Sequence, residues 1–152
     1  MTKADLAING GAKAIPRPCS ARYATDGREK AALNALIDRA IETGNNVGYN
    51  GPEEEALCRE FSALLGGGYT DGVNGGTNAV YVALRALNPE PFSEVIVGAI
   101  TDPGGIMPIL MCNCIPAVAD VEKGSYNTSA EEIAKLITPL TAAIIVPHIA
   151  GE

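Results

Sequence analysis

The chain has 152 residues, 47% hydrophobic and 19% charged, a composition that fits one globular domain with a core and excludes a disordered segment. Its 18 acidic and 11 basic residues leave a net charge of −7, and no Lys/Arg cluster stands out. Nucleic acid and anionic membrane are therefore poor partners, and an anionic ligand would have to be held by local backbone groups.

Residues 1–24 show no periodicity, carry Pro16 and Pro18, and read as an arm lying over a surface. Met1-Thr2-Lys3-Ala4-Asp5 lacks the apolar core of a signal peptide. No apolar run approaches the ~20 residues that span a bilayer, and the longest, 106–115, is interrupted by Pro108 and Asn113. The expected location is the cytoplasm. Asp26-Gly27-Arg28-Glu29 is a capping-box pattern, and the helix behind it places Leu33, Leu36, Ile37, Ala40 and Ile41 on one buried face. Gly44 is its expected stop. Pro52 suits the first position of a second helix, whose buried face is Leu57, Phe61, Leu64 and Leu65, and Gly66-Gly67-Gly68 ends it. Glu53, Glu54 and Glu55 read as first-turn acids favoured by the helix dipole, with a metal site or acid catalyst as the alternative.

From Tyr69 the chain alternates. Strands are predicted at 69–73, 94–100, 117–121 and 142–146, and helices at 77–87, from Pro103 toward Asn113, and from a capping box at Thr128-Ser129-Ala130-Glu131. That last helix turns Ile133, Leu136 and Ile137 inward. Pro108 is expected to kink the helix that Asp102 caps. Uninterrupted apolar strands alternating with helices predict an α/β fold with a mainly parallel sheet covered on both faces. Ligands of such sheets sit beyond the carboxyl ends of the strands, where the loops 74–78, 101–105 and 147–151 converge. No helix follows the last strand to cover it, which is expected of a fragment or of a chain completed by a partner.

The run Val73-Asn74-Gly75-Gly76-Thr77-Asn78-Ala79-Val80 carries the chemistry. A strand, a glycine turn and a helix N-terminus make an anion site: the first helical N–H groups have no intrahelical partner, and glycine lets a phosphate approach. A tight turn without a ligand is the alternative. A Walker A loop is excluded because no Gly-Lys-Ser/Thr occurs, and the glycine spacing does not fit a dinucleotide fingerprint. The four cysteines (Cys19, Cys58, Cys112 and Cys114) read as buried free thiols, and no metal site is expected.

Five stretches in order resemble the DegT/DnrJ/EryC1/StrS family of aminotransferases that use pyridoxal 5′-phosphate (PLP). They are Gly51 to Phe61, Asn74 to Val80, Glu94-Val95-Ile96-Val97 followed by Thr101, Ile115 to Val121, and Ile137-Thr138-Pro139 through Val146-Pro147-His148. The resemblance implies the large domain of a fold-type-I PLP enzyme, truncated, with an N-terminal arm and first helix over 1–47 and the cofactor domain over 48–152. It implies that Gly76, Thr77 and Asn78 bind the PLP phosphate. Gly75 stands where the family usually has Ser. Asp102 stands where the family usually has an aromatic stacked on the cofactor ring. Its role is then to cap the following helix or to contact the polar edge of cofactor or substrate. His148 lies near the cofactor or is a strand-end His bonded to backbone.

The resemblance further implies that the Schiff-base Lys and the Asp at the pyridine nitrogen lie downstream, so these residues alone are expected to be inactive. The whole protein is then expected to aminate a keto-sugar or nucleotide-sugar with an amino-acid donor, as a homodimer with residues 47–50 and the N-terminal arm at the interface. A non-catalytic binder of a phosphate ligand or nucleotide is the alternative. Lys3, Lys13, Lys30, Lys123 and Lys135 read as solvated surface lysines.

Overall fold

The structure, a computed structural model, describes residues 6–17, 25–45, 47–48 and 50–151. Cys19, Lys3 and part of the N-terminal arm lie outside the described residues, as do Asn46 and, within the 47–50 region, Tyr49. The chain divides into two compact units, Met1–Glu55 and Ala56–Glu152.

The first unit is built on α1, Gly27–Thr43. Its start is the predicted capping box: Asp26 accepts the Arg28 N–H at 2.8 Å, and Glu29 accepts the Asp26 N–H at 2.7 Å. Gly44 ends it in the left-handed conformation. The expected burial is not found. Leu36 and Ala40 are half-buried, but Leu33, Ile37 and Ile41 are exposed. Periodicity identified the apolar face; burial needs a covering element, which sequence spacing does not supply. The boundary between the units falls in the first turn of α2, Pro52–Leu64. Its acids are used locally, since Glu53 pairs with Arg39 and Glu54 accepts the Asn50 N–H. Leu57, Phe61, Leu64 and Leu65 are likewise exposed. Gly66, Gly67 and Gly68 all have φ between +86° and +119°, a stop that other residues adopt only with strain.

The second unit is an α/β layer. Its elements after α2 are α3 (Gly76–Leu87), β1 (Glu94–Gly98), α4 (Pro103–Met111), β2 (Ile115–Ala119), α5 (Ala130–Ala134) and β3 (Thr141–Ile145). The sheet is parallel in the order β2-β1-β3. Val95, Ile96 and Val97 of central β1 are fully buried, each worth about 1.5–3 kcal/mol of transfer free energy. One face packs on α3 and α4 through Leu84, Val95, Val97, Ile109, Cys112 and Cys114. The two connections run in opposite directions from β1 and β2, so right-handed crossovers place α4 and α5 on opposite faces. Pro116, which has no N–H to give a ladder, sits on edge strand β2.

Four expectations are corrected. Residues 69–73 form no strand: Asp71 and Gly72 interrupt the β-formers, and the segment takes no regular secondary structure. The cap of α5 is Ser129, accepting the Glu132 N–H at 3.3 Å, not Thr128. That helix closes after Ala134, leaving Ile137 exposed. Cys58 is only half-buried, whereas Cys112 and Cys114 are buried as expected. Smaller shifts place β2 two residues early and end β1 at Gly98, and α4 continues unbroken through Pro108.

Candidate functional site

Two helix N-termini meet beyond the carboxyl end of β1. Asp102 caps α4: its Oδ1 accepts the Gly104 N–H at 2.6 Å, and Pro103 fills the first helical position. Gly104 and Gly105 are buried. A Cβ on Gly104 would lie 2.7 Å from Asp102 Oδ1, 2.7 Å from Thr77 Oγ1 and 3.5 Å from Thr77 Cα. Only hydrogen fits there, and the backbone of α4 thereby comes against the first turn of α3. The Asp102 and Thr77 oxygens are at most twice 2.7 Å apart.

The start of α3 is different. Gly75 is its N-cap and supplies no side-chain hydrogen bond. The Ala79 N–H reaches the Gly75 carbonyl at 3.0 Å, which leaves the N–H groups of Gly76, Thr77 and Asn78 without an intrahelical partner. Gly75 is extended, and a Cβ at Gly75 or Gly76 would meet nothing within 4 Å. Neither glycine is required by backbone conformation or by protein packing. Their bare Cα atoms instead leave room for a group approaching from outside.

A cavity of about 660 Å³ opens between these elements. Gly76, Thr77 and Val80 line it from α3, Thr101 to Gly105 from the second loop, and Ile145 to Pro147 from the end of β3. The three loops expected to converge contribute to this one space. Asn78 and His148 are not in its lining. The Asn78 amide instead donates to Asn74 Oδ1 at 2.5 Å and braces the glycine turn. His148 is exposed, and its carbonyl accepts the Gly151 N–H at 3.2 Å. The third loop is held by a residue that sequence reasoning missed. Asn127 accepts the Ile149 N–H at 2.8 Å and donates to the Ile149 carbonyl at 3.3 Å. An Asn in a post-strand turn carries no signal that its partner lies 22 residues on.

A phosphate monoester fits the α3 end of this cavity. Free N–H groups, the Thr77 hydroxyl and open glycine Cα atoms converge there, and the helix dipole favours negative charge.

The sequence profile of the DegT/DnrJ/EryC1/StrS aminotransferase family matches residues 28–152. The chain is similar to 3-amino-5-hydroxybenzoate synthase of Amycolatopsis mediterranei, 32% identical over 123 residues, covering 81% of this chain and 31% of that protein. It is also similar to GDP-perosamine synthase of Vibrio cholerae, 30% identical over 127 residues, covering 84% and 33%. Among solved structures it superposes on NtdA of Bacillus subtilis with bound cofactor PMP, with a TM-score of 0.74 and 26% identity, covering 84% of this chain and 29% of that one. The chain spans about a third of the length of these relatives. A match over most of its length, on a parallel sheet of the same fold, makes the chain a member of the DegT/DnrJ/EryC1/StrS aminotransferase family.

Proposed function

We propose that these residues form the N-terminal, cofactor-phosphate-binding portion of a PLP-dependent aminotransferase. The observation that carries the reading is the bare, uncapped N-terminus of α3 opening onto a cavity in a member of this family. In it the N–H groups of Gly76, Thr77 and Asn78, with the Thr77 hydroxyl, bind the phosphate and fix the cofactor's orientation. Asp102 and Gly104 hold α4 against Thr77 and so keep that hydroxyl in place. Val80, Ile145 and Pro147 exclude water from the apolar side. His148 lies outside the lining and takes no part in holding the phosphate.

PLP, when bound, supplies an electron sink that lets an amino group pass between an amino acid and a ketone. The substrate we propose is a keto-sugar, carried by a nucleotide, with an amino acid as donor, in a cytoplasmic homodimer. Support for the sugar comes from the relative whose name gives a GDP-linked amine as product. Among the described residues, no lysine lines the cavity. The 152 residues are therefore expected to bind the cofactor's phosphate without turnover, the amine nucleophile being supplied from elsewhere. This observation also favours the second reading, a phosphate-ligand binder without catalysis.

Calorimetric titration with pyridoxal 5′-phosphate tests the proposal, with ATP and NAD as competitors. Saturable binding that Gly76→Ala weakens is expected. Tighter binding of ATP or NAD refutes it. A visible absorption band bleached by borohydride would refute the inactivity of these residues by themselves.

A further inference from the structure

The cavity joins an anion cradle to a carboxylate. Among the described residues, Asp102 is the one charged residue in its lining and no cationic side chain lines it. A phosphate at Gly76 and Thr77 would be held by N–H dipoles and a hydroxyl, while the one formal charge supplied by the wall is negative. Asp102 Oδ1 is fixed by the Gly104 N–H, and the same glycine places that oxygen within twice 2.7 Å of Thr77 Oγ1. Among the described residues the Gly104 N–H is the one hydrogen-bond partner of the Asp102 carboxylate. The side chain cannot turn away without giving up the cap, so the carboxylate stays in the cavity wall. A ligand that carries only negative charge meets repulsion there, and one that brings its own cation meets a partner.

We propose that Asp102 is a specificity-determining residue that selects phosphate monoesters bearing a protonated amine over otherwise identical esters that lack it. The inference rests on the cofactor-phosphate reading above and adds the chemical class of ligand to it. For a vitamin B6 ester it means that the aminated form is retained in preference to a neutral form.

The test uses two probes that share ring and phosphate and differ at one substituent: pyridoxamine 5′-phosphate, with an aminomethyl group, and pyridoxine 5′-phosphate, with a hydroxymethyl group. Each is titrated calorimetrically into the 152-residue chain and into Asp102→Asn, which preserves a capping side chain. The wild-type chain is expected to bind the amine about fivefold more tightly, the upper range for a charge pair open to solvent. In Asp102→Asn the ratio falls to about one, through weaker binding of the amine alone. If the Asn variant does not fold, Asp102→Ser, also a capping residue, takes its place. Equal affinities in the wild-type chain, or a ratio unchanged by the substitution, overturn the inference and leave the cofactor reading standing. Failure of both esters to bind overturns both.

Discussion

A methyl group added at Gly104 and one added at Gly76 have opposite expected consequences, because one glycine is closed in by protein and the other is open. At Gly104 the new Cβ would sit 2.7 Å from two oxygens and 3.5 Å from the Thr77 backbone. The Asp102 oxygen in its way is the one that caps α4. Displacing it forfeits about 0.5–2 kcal/mol of capping. Overpacking costs about 1–3 kcal/mol, and the better helix propensity of Ala returns about 0.5–1 kcal/mol. Gly104→Ala is thus expected to lose about 0.5–4.5 kcal/mol, a fall in Tm of about 2–4 °C per kcal/mol for a chain of this size. Gly76 has nothing within 4 Å of the added carbon. Gly76→Ala is expected to match or exceed wild-type stability by up to about 1 kcal/mol. It should nevertheless bind pyridoxal 5′-phosphate at least about tenfold more weakly, since the methyl holds phosphate oxygens beyond hydrogen-bond range of the first-turn N–H groups. Thermal unfolding followed by circular dichroism, together with calorimetric titration, reads both quantities. Wild-type stability in Gly104→Ala would refute the interlock between the two helices. Equal losses of stability in both variants would refute the view that the α3 glycines serve a ligand and not the fold.

Other expectations concern the rest of the molecule. Ile109→Ala removes a fully buried side chain packed between α4 and the sheet, and is expected to cost about 2–5 kcal/mol by chemical denaturation. Asp26 is held below the ordinary carboxylate range, chiefly by the side-chain hydrogen bonds of Arg28 and then by its backbone N–H. Its folded-state pKa is depressed, so its contribution is full above the unfolded-state value and is lost as pH falls through the folded one. In an acid titration followed by helical ellipticity, Asp26→Asn should lose part of that acid sensitivity. Burial, with Cys112 beside it, pushes the Cys114 thiol up. In a Cys19→Ser background a thiol reagent at neutral pH should label Cys58 first and reach Cys112 and Cys114 only with denaturant. Asn127→Ala removes both hydrogen bonds to Ile149 and should raise hydrogen exchange at 147–151 while leaving β1 protected.

What could be read from the sequence was local chemistry. Asp26 with Glu29, Pro52, and Asp102 with Pro103 mark helix starts within a few residues, because a cap and its N–H partner are neighbours in the chain. The β-branched apolar run around Val95-Ile96-Val97 announced a buried strand, while its central place in the sheet was not readable. The contact of Gly104 with Thr77 was not legible. Two glycines in the first turn of a predicted helix give no sign of a neighbour, and only the packed helices reveal that hydrogen is the largest group that fits. Residues 69–73 failed as a strand because strand character depends on an edge to pair with, and Tyr69 and Val73 alone do not create one. The apolar faces of α1 and α2 were found by spacing, but spacing says which side is apolar and not what covers it. For Asn78 and His148 the loops were placed at the cavity, while the side chains themselves lie outside its lining.

The order β2-β1-β3 has a consequence for how this polypeptide is made. The most apolar strand is the first to be synthesised, and both of its neighbours come later in the chain. The ~47 residues between Gly98 and Ile145 take about 2–9 s to emerge at about 5–20 residues per second. Throughout that interval Val95, Ile96 and Val97 have at most one flank satisfied. A nascent chain arrested before Thr141 should therefore remain bound to hydrophobe-recognising chaperones, and one extended past Ile145 should be released.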